Sequence, residues 1–260
     1  MTTALTMWAD QPFALIPVKS LRSSSPMALF MSQDMANAHN NLLRALNSVY
    51  NQAPYVTNEA DKRDLLQYTA FWVDWIEHHH HGEEEVLFPA VTRVTGKESL
   101  MAHNIEQHEA FLPGLHALKD YVTACLDTAK PDVVFASQRY REIVDSFAHI
   151  LSEHLADEIV TLTGLEVCEA GDAAKLKEAY AEFDAKMREG DKSILYPLVM
   201  GSSDAGFEGG GALWPAVPPP VRYLIHYVFE RKHRSVWRFL PSDTWGKRKV
   251  VAFGPSADHE

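Results

Sequence analysis

Cysteine is scarce: Cys125 and Cys168 are the only two in 260 residues. Two thiols so far apart give neither a disulfide framework nor the paired spacing of a zinc or redox motif. Both are read as small apolar residues, and a reducing, cytoplasmic compartment is expected. Basic residues are also few, with 24 Lys and Arg against 35 Asp and Glu and a formal charge of −11. Phosphate affinity comes from clustered cations that displace counterions, so nucleic acid is not an expected partner. No run approaches the roughly 18 consecutive apolar residues of a membrane span. The first twenty residues lack a basic flank, and Asp10 and Pro12 interrupt their apolar character, so neither a secretory signal nor a membrane partner is expected.

Histidine, by contrast, is abundant: there are thirteen, four of them consecutive at residues 78–81. Histidine titrates near neutrality and is the commonest metal ligand. The direction in which those rings point therefore decides the function.

Periodicity divides the chain into an irregular N-terminal arm (1–29), a helical region (30–190) and a Gly/Pro-rich, aromatic extension (191–260). Apolar residues at three-to-four spacing place a first helix from about Ser32, with Met35, Leu42, Leu43, Leu46 and Val49 inward. A second is capped near Asn58 or Asp61 and runs into HHHHGEEEVLFPA, weakened by Gly82 and Pro89. A third passes through Pro113, and a fourth covers residues 133–165 without interruption. A fifth, charged and amphipathic, ends at Gly190. The run at residues 197–220 is too rich in Gly and Pro for helix, and the aromatic stretch after it is expected to cover one face of the bundle. The fold class is all-α: an antiparallel four-helix bundle with an additional helix and an irregular aromatic C-terminal extension.

Bundles of this kind build metal sites from inward side chains. An α-helix turns about 100° per residue, so positions i and i+4 share a face. On the second helix, stepping along the apolar stripe gives 76, 80, 84, 87, which turns His80 and Glu84 inward. On the fourth, His154 and Glu158 continue the stripe of Phe147, Ile150 or Leu151 and Leu162. A glutamate and a histidine buried in such a stripe need a partner, and a cation supplies one. His39 on the first helix and His108 on the third lie among apolar neighbours at the same spacing. Six donors exceed a tetrahedral zinc site, whereas two carboxylates able to bridge suit a pair of iron or manganese ions. The remaining residues of the histidine run, His78, His79 and His81, are expected on other faces, and Glu83 and Glu85 in solvent. His103, His116 and His149 read as surface residues, while His226 and His233 carry no ligand spacing.

The order H…HxxxE…H…HxxxE, with HHHHGEEEVLFP on the second helix and NIEQHEAFLPGL on the third, resembles the hemerythrin-like (HHE cation-binding) family, and the aromatic extension is similar to that of fungal members. The resemblance implies metal ligands at His39, His80, Glu84, His108, His154 and Glu158, and a cofactor of two carboxylate-bridged iron ions, with manganese or zinc as alternatives. Oxygen-carrying members have a further histidine on the third helix where this chain has Asn104. On the fourth helix they have an aspartate one residue beyond Glu158. Both departures argue against simple reversible oxygen carriage and leave a position for water, Asn104, Gln107 or a substrate. Two functions follow: a non-heme di-iron oxidoreductase that uses dioxygen or peroxide on a small molecule, or a non-enzymatic sensor, carrier or store for oxygen, nitric oxide or iron.

Overall fold

The computed structural model describes residues 8–130, 132–165, 170–210 and 213–255; Cys168 lies outside them. Every regular element among these residues is helical. The first helix, α1 (Pro26–Gln52), begins earlier than its apolar stripe suggests. Ser25 caps it by accepting a hydrogen bond from the Ala28 amide, and Pro26 sits in the first turn, where a missing N–H costs nothing.

Asn58 caps α2 (Glu59–Gly82), its side chain accepting from the Ala60 amide at 2.8 Å. The chain then continues without a break through a π-helical turn, Glu83–Leu87, into α3 (Phe88–Thr95). Pro89 does not end the segment, because it falls in the first turn of α3. Gly96, at φ 65°, ends it instead. The next helix, α4 (Ala102–Leu126), carries Pro113 in its interior.

The expected fourth helix is interrupted. It forms as α5 (Ser137–Asp145) and α6 (Ala148–Thr163), broken at Ser146 and Phe147. Phe147 takes φ −133° and is buried against Gly114 of α4, where a built Cβ would stand 2.5 Å from the Phe147 Cβ. The break seats that ring between helices, stacked near Trp72 at 6.5 Å. The additional helix is α7 (Ala170–Met187), followed by α8 (Lys192–Gly201) and α9 (Pro219–Tyr227). Residues 197–201, expected as loop, are the last turn and a half of α8, with Pro197 inside the helix.

Four helices close a ring: α1 packs on α2 and α6, and α4 packs on the same two. Outside this ring α1 is covered on two further sides. Asn40 bonds the Ile16 backbone through both its side-chain atoms, and Asn47 bonds Phe13 and Ala9 in the same way. The Phe239 carbonyl accepts from Ser48 Oγ and Gln52 Nε2, so the N-terminal arm and the extension are both anchored to α1 by its own polar residues. Trp237, Phe239 and Leu240 of the extension are buried, but Tyr223 and Tyr227 of α9 stay largely exposed, so the aromatic stretch is covered only in part. No helix among the described residues is long and apolar enough to cross a membrane.

Candidate metal centre

The ring of helices aims an unusual set of polar groups inward. His39, His79, His80, Glu83, Asn104, His108, His154 and Glu158 are all buried. Two of these, His79 and Glu83, lie outside the set expected from periodicity. Conversely, Glu84 does not turn inward: its side chain is 44% exposed, and its carboxylate accepts a 2.6 Å hydrogen bond from His108 Nδ1 on the outer side of that ring.

The reason lies in the local winding. Steps of three and four residues run equally well through 76, 80, 84, 87 and through 76, 80, 83, 87. The choice between them depends on the helix that packs outside. Gly82 sits against α7, where a built Cβ would meet Phe183 at 3.2 Å and the tip of Met187. That contact and the wide π turn beginning at Glu83 rotate Glu83 to the inside and Glu84 to the rim. Single π turns recur at functional sites.

Imidazole orientation follows from outer hydrogen bonds. A carbonyl or amide oxygen accepts only from a protonated nitrogen, so each such contact fixes the tautomer. His39 Nδ1 donates to the Leu155 carbonyl at 2.8 Å, His108 Nδ1 to Glu84, and His154 Nδ1 to Gln107 Oε1 at a longer 3.4 Å. Gln107 is held in turn by Asp157 at 2.8 Å. All three rings therefore turn Nε2 to the interior. His39 Nε2 stands 3.1 Å from His79 Nε2, and His108 Nε2 stands 3.0 Å from His154 Nε2. The second contact is short enough for both Nε2 atoms to share one cation.

The donors fall into two groups, His39, His79 and Glu83, and His80, Glu83, His108 and His154, in each of which all ligand atoms lie within 4.8 Å of one another. Glu83 belongs to both. Its Oε1 is 2.8 Å from His79 Nε2 and its Oε2 is 3.6 Å from His108 Nε2. Glu158 adjoins the first group, with Oε2 3.5 Å from His39 Nε2. Both oxygens of Glu83, both oxygens of Glu158 and both ring nitrogens of His80 are buried without a hydrogen-bond partner. Orphaned polar atoms of this kind are rare and costly.

These residues fit a pair of cations. Two nitrogens about 2.1 Å from one ion and at right angles lie about 3 Å apart, matching the observed separations. Without a cation, burial holds His39 below its usual range and His80 and His154 well below it, so the rings are neutral and able to ligate. Burial also pushes Glu158 up, as does the neighbouring Glu83 carboxylate. Burial acts the same way on Glu83, but His79, His39 and His80 outweigh it and hold that carboxyl well below 4.5. One of two adjacent carboxylates ionises at the expense of the other.

Asn104, one turn before His108, is fully buried and has no partner for either side-chain atom. The imidazole missing at that position is matched by an extra one from α2, since His79 and His80 both face inward.

An open cavity of about 640 Å³ between α2 and α4 reaches His80 and His108. Phe111 and Leu112 give it apolar wall, while His116 and Lys119 lie farther along. Lys119 is held by Glu77 at 2.5 Å. The opposite side of the centre is closed by α7, whose Phe183 ring lies 5.9 Å from that of His79. His78, expected on another face of α2, lies toward α7: its Nε2 donates to the Lys186 carbonyl at 2.8 Å and ties the two helices together.

Residues 31–162 match the model of the "Hemerythrin HHE cation binding domain". The chain is also 38% identical over 239 residues to the "Dimeric xanthone biosynthesis cluster protein R11" of Cryptosporiopsis sp. (strain 8999), covering 92% of this chain and 88% of that relative. No solved structure gives a significant match.

Proposed function

Because the chain belongs to the hemerythrin HHE cation-binding family, we propose that it is a non-heme di-iron oxidoreductase that uses dioxygen or peroxide on a small aromatic molecule. The observation that carries the reading is the shared carboxylate. Glu83 belongs to both donor groups, which is the arrangement a bridged pair of ions requires.

In this reading His39 and His79 hold one ion, and His80, His108 and His154 hold the other. Glu83, common to both groups, and Glu158, beside His39, would supply the carboxylates. Seven donors from four helices exceed a tetrahedral zinc site, and mixed nitrogen and oxygen ligands suit iron or manganese. A ferrous pair supplies electrons to dioxygen. The protein's own contribution is to fix the imidazoles through Leu155, Glu84 and Gln107 and to wall the centre with the Phe183 and Phe88 rings beside His79 and His108, leaving the side lined by Phe111 open.

The open cavity favours turnover over simple carriage, because a solvent-accessible route leads to His80 and His108. Phe111 and Leu112 offer a face for an aromatic ring, and Lys119 and His116 offer polar contacts at its edge. The relative's name attaches it to dimeric xanthone biosynthesis, and an aromatic substrate of the xanthone class is proposed here. Two cysteines without a framework suit work in the cytoplasm.

The test is absorbance of iron-loaded protein as dioxygen is admitted to an anaerobic sample. The proposed enzyme gives a new near-ultraviolet or visible band whose decay is accelerated by a xanthone. A band that reverses on removing dioxygen and ignores added substrates would instead mark a carrier or sensor.

A further inference from the structure

The side of the centre opposite the cavity contains a line of aromatic rings that the proposed chemistry does not use. From His79, the Phe183 ring lies 5.9 Å away, and from Phe183 the Tyr180 ring lies 5.8 Å away. Tyr180 is 4% exposed and its hydroxyl donates to Asp34 Oδ2 at 3.0 Å. The other oxygen of Asp34 accepts from Trp214 Nε1 at 2.6 Å, and Trp214 is only partly buried. A continuous path of rings and hydrogen bonds thus joins a metal-ligand imidazole to the surface of the C-terminal extension.

The chemistry of the Tyr180 and Asp34 pair is specific. A phenol loses an electron at an accessible potential only if its proton leaves at the same time, because the protonated radical cation is a very strong acid. A buried tyrosine has no water to take that proton. Here the Asp34 carboxyl stands at hydrogen-bond distance and accepts from both Tyr180 and Trp214, and burial raises its affinity for a proton above the usual carboxylate range. Burial raises the Tyr180 hydroxyl well above its ordinary range, so the phenol keeps its proton until it is oxidised.

Resting on the di-iron reading, we propose that Tyr180 is a redox relay, giving one electron through Phe183 and His79 to the oxidised metal pair while its hydroxyl proton moves to Asp34. No bond to carbon forms or breaks: the O–H bond of Tyr180 is lost and an O–H bond on Asp34 is gained. Hydrogen peroxide is the terminal oxidant. Over two passes it takes up two electrons, with two protons from solvent, and yields two waters. Between passes the neutral tyrosyl radical regains an electron through Trp214 from a small phenolic reductant, which is left as a phenoxyl radical with its proton released to solvent, and the Tyr180 proton returns from Asp34.

The experiment is freeze-quench electron paramagnetic resonance of iron-loaded protein mixed with hydrogen peroxide, with iron content measured on the same samples. The expected result is an organic radical whose hyperfine pattern narrows when the protein carries ring-deuterated tyrosine. Tyr180→Phe keeps the ring contacts and the iron but loses the signal at least tenfold, and Asp34→Asn keeps the iron and lowers the radical yield. A radical that persists in Tyr180→Phe overturns the relay, as does peroxide consumption by iron-loaded wild type without any tyrosyl signal. Failure to hold iron overturns the relay and the di-iron reading together, which separates the two failures.

Discussion

Glu83 Oε1 stands 2.8 Å from His79 Nε2, one helical turn apart and fully buried, yet neither Glu83 oxygen has a hydrogen-bond partner. The two groups are close without being aligned to bond each other. In the proposed centre His79 of α2 and Glu83 of the π turn, rather than His80 and Glu84, would act together on one ion. His80 then joins the imidazoles of α4 and α6, with its ring centroid 4.4 Å from that of His108 and 5.1 Å from that of His154.

The two glutamates are separable by substitution. Glu83→Gln removes a shared charge at the middle of the centre, and iron content is expected to fall below one ion per chain. Glu84→Gln removes only the charge of the outer acceptor of His108 and leaves an amide oxygen in its place, and disturbing such a partner weakens affinity by at most about 10 to 100-fold. Saturating iron should therefore still load Glu84→Gln fully, as measured by metal analysis after desalting.

Proton competition sets the pH dependence of the metal-free protein. His39, His80 and His154 have folded-state values lowered from 6.5, so the unfolded chain binds more protons and stability falls as pH drops below about 6.5. Glu83, also lowered, acts in the same sense below about 4.5. Glu158, raised, opposes them, because its penalty is relieved as it protonates. Three imidazoles outweigh one carboxyl, so the urea midpoint should be lower at pH 5 than at pH 7. Iron should also be released over that range.

Two glycines at helix contacts should respond differently to alanine. At Gly114 the new Cβ meets the Phe147 Cβ at 2.5 Å, a position fixed by backbone. Overpacking costs about 1 to 3 kcal/mol, and the gain of about 1 kcal/mol in helix propensity offsets it only in part. At Gly82 the nearest atom is the flexible end of Met187, but the Phe183 ring stands at 3.2 Å and must give by a few tenths of an ångström, so Gly82→Ala should cost less than Gly114→Ala without being neutral. Urea unfolding of both variants measures the difference.

Asn47 is expected to anchor the N-terminal arm energetically. Its side chain accepts from the Phe13 amide at 3.0 Å and donates to the Ala9 and Phe13 carbonyls at 2.9 and 2.8 Å, all buried. Asn47→Ala leaves these backbone groups unpaired, at a cost of about 2 to 4 kcal/mol. Proteolysis within the first 25 residues should accelerate in step with the lowered urea midpoint.

Much of this arrangement is legible in the residue order. The apolar stripes turn His39, His108, His154 and Glu158 inward because each helix has one clear buried face. On α2 the stripe passes a run of four histidines and three glutamates with no apolar residue to fix its phase, so periodicity alone leaves Glu83 and Glu84 undecided. Gly82 was the available signal: a residue without a side chain, directly before the acidic run, marks close approach by another helix, here α7 with Phe183 and Met187. The break at Phe147 was hidden for a related reason. Its cause is the space at Gly114 on a different helix, and such long-range packing leaves no mark on local spacing.

The most direct test of the two-ion centre is iron stoichiometry of untagged protein, compared among wild type, His79→Ala and His108→Ala. The native histidine run makes a purification tag an avoidable source of metal. The account predicts about two ions per chain in wild type and about one in each variant, since His79 and His108 serve different ions. Two ions retained in His79→Ala, or a single ion or none in fully reconstituted wild type, would contradict it.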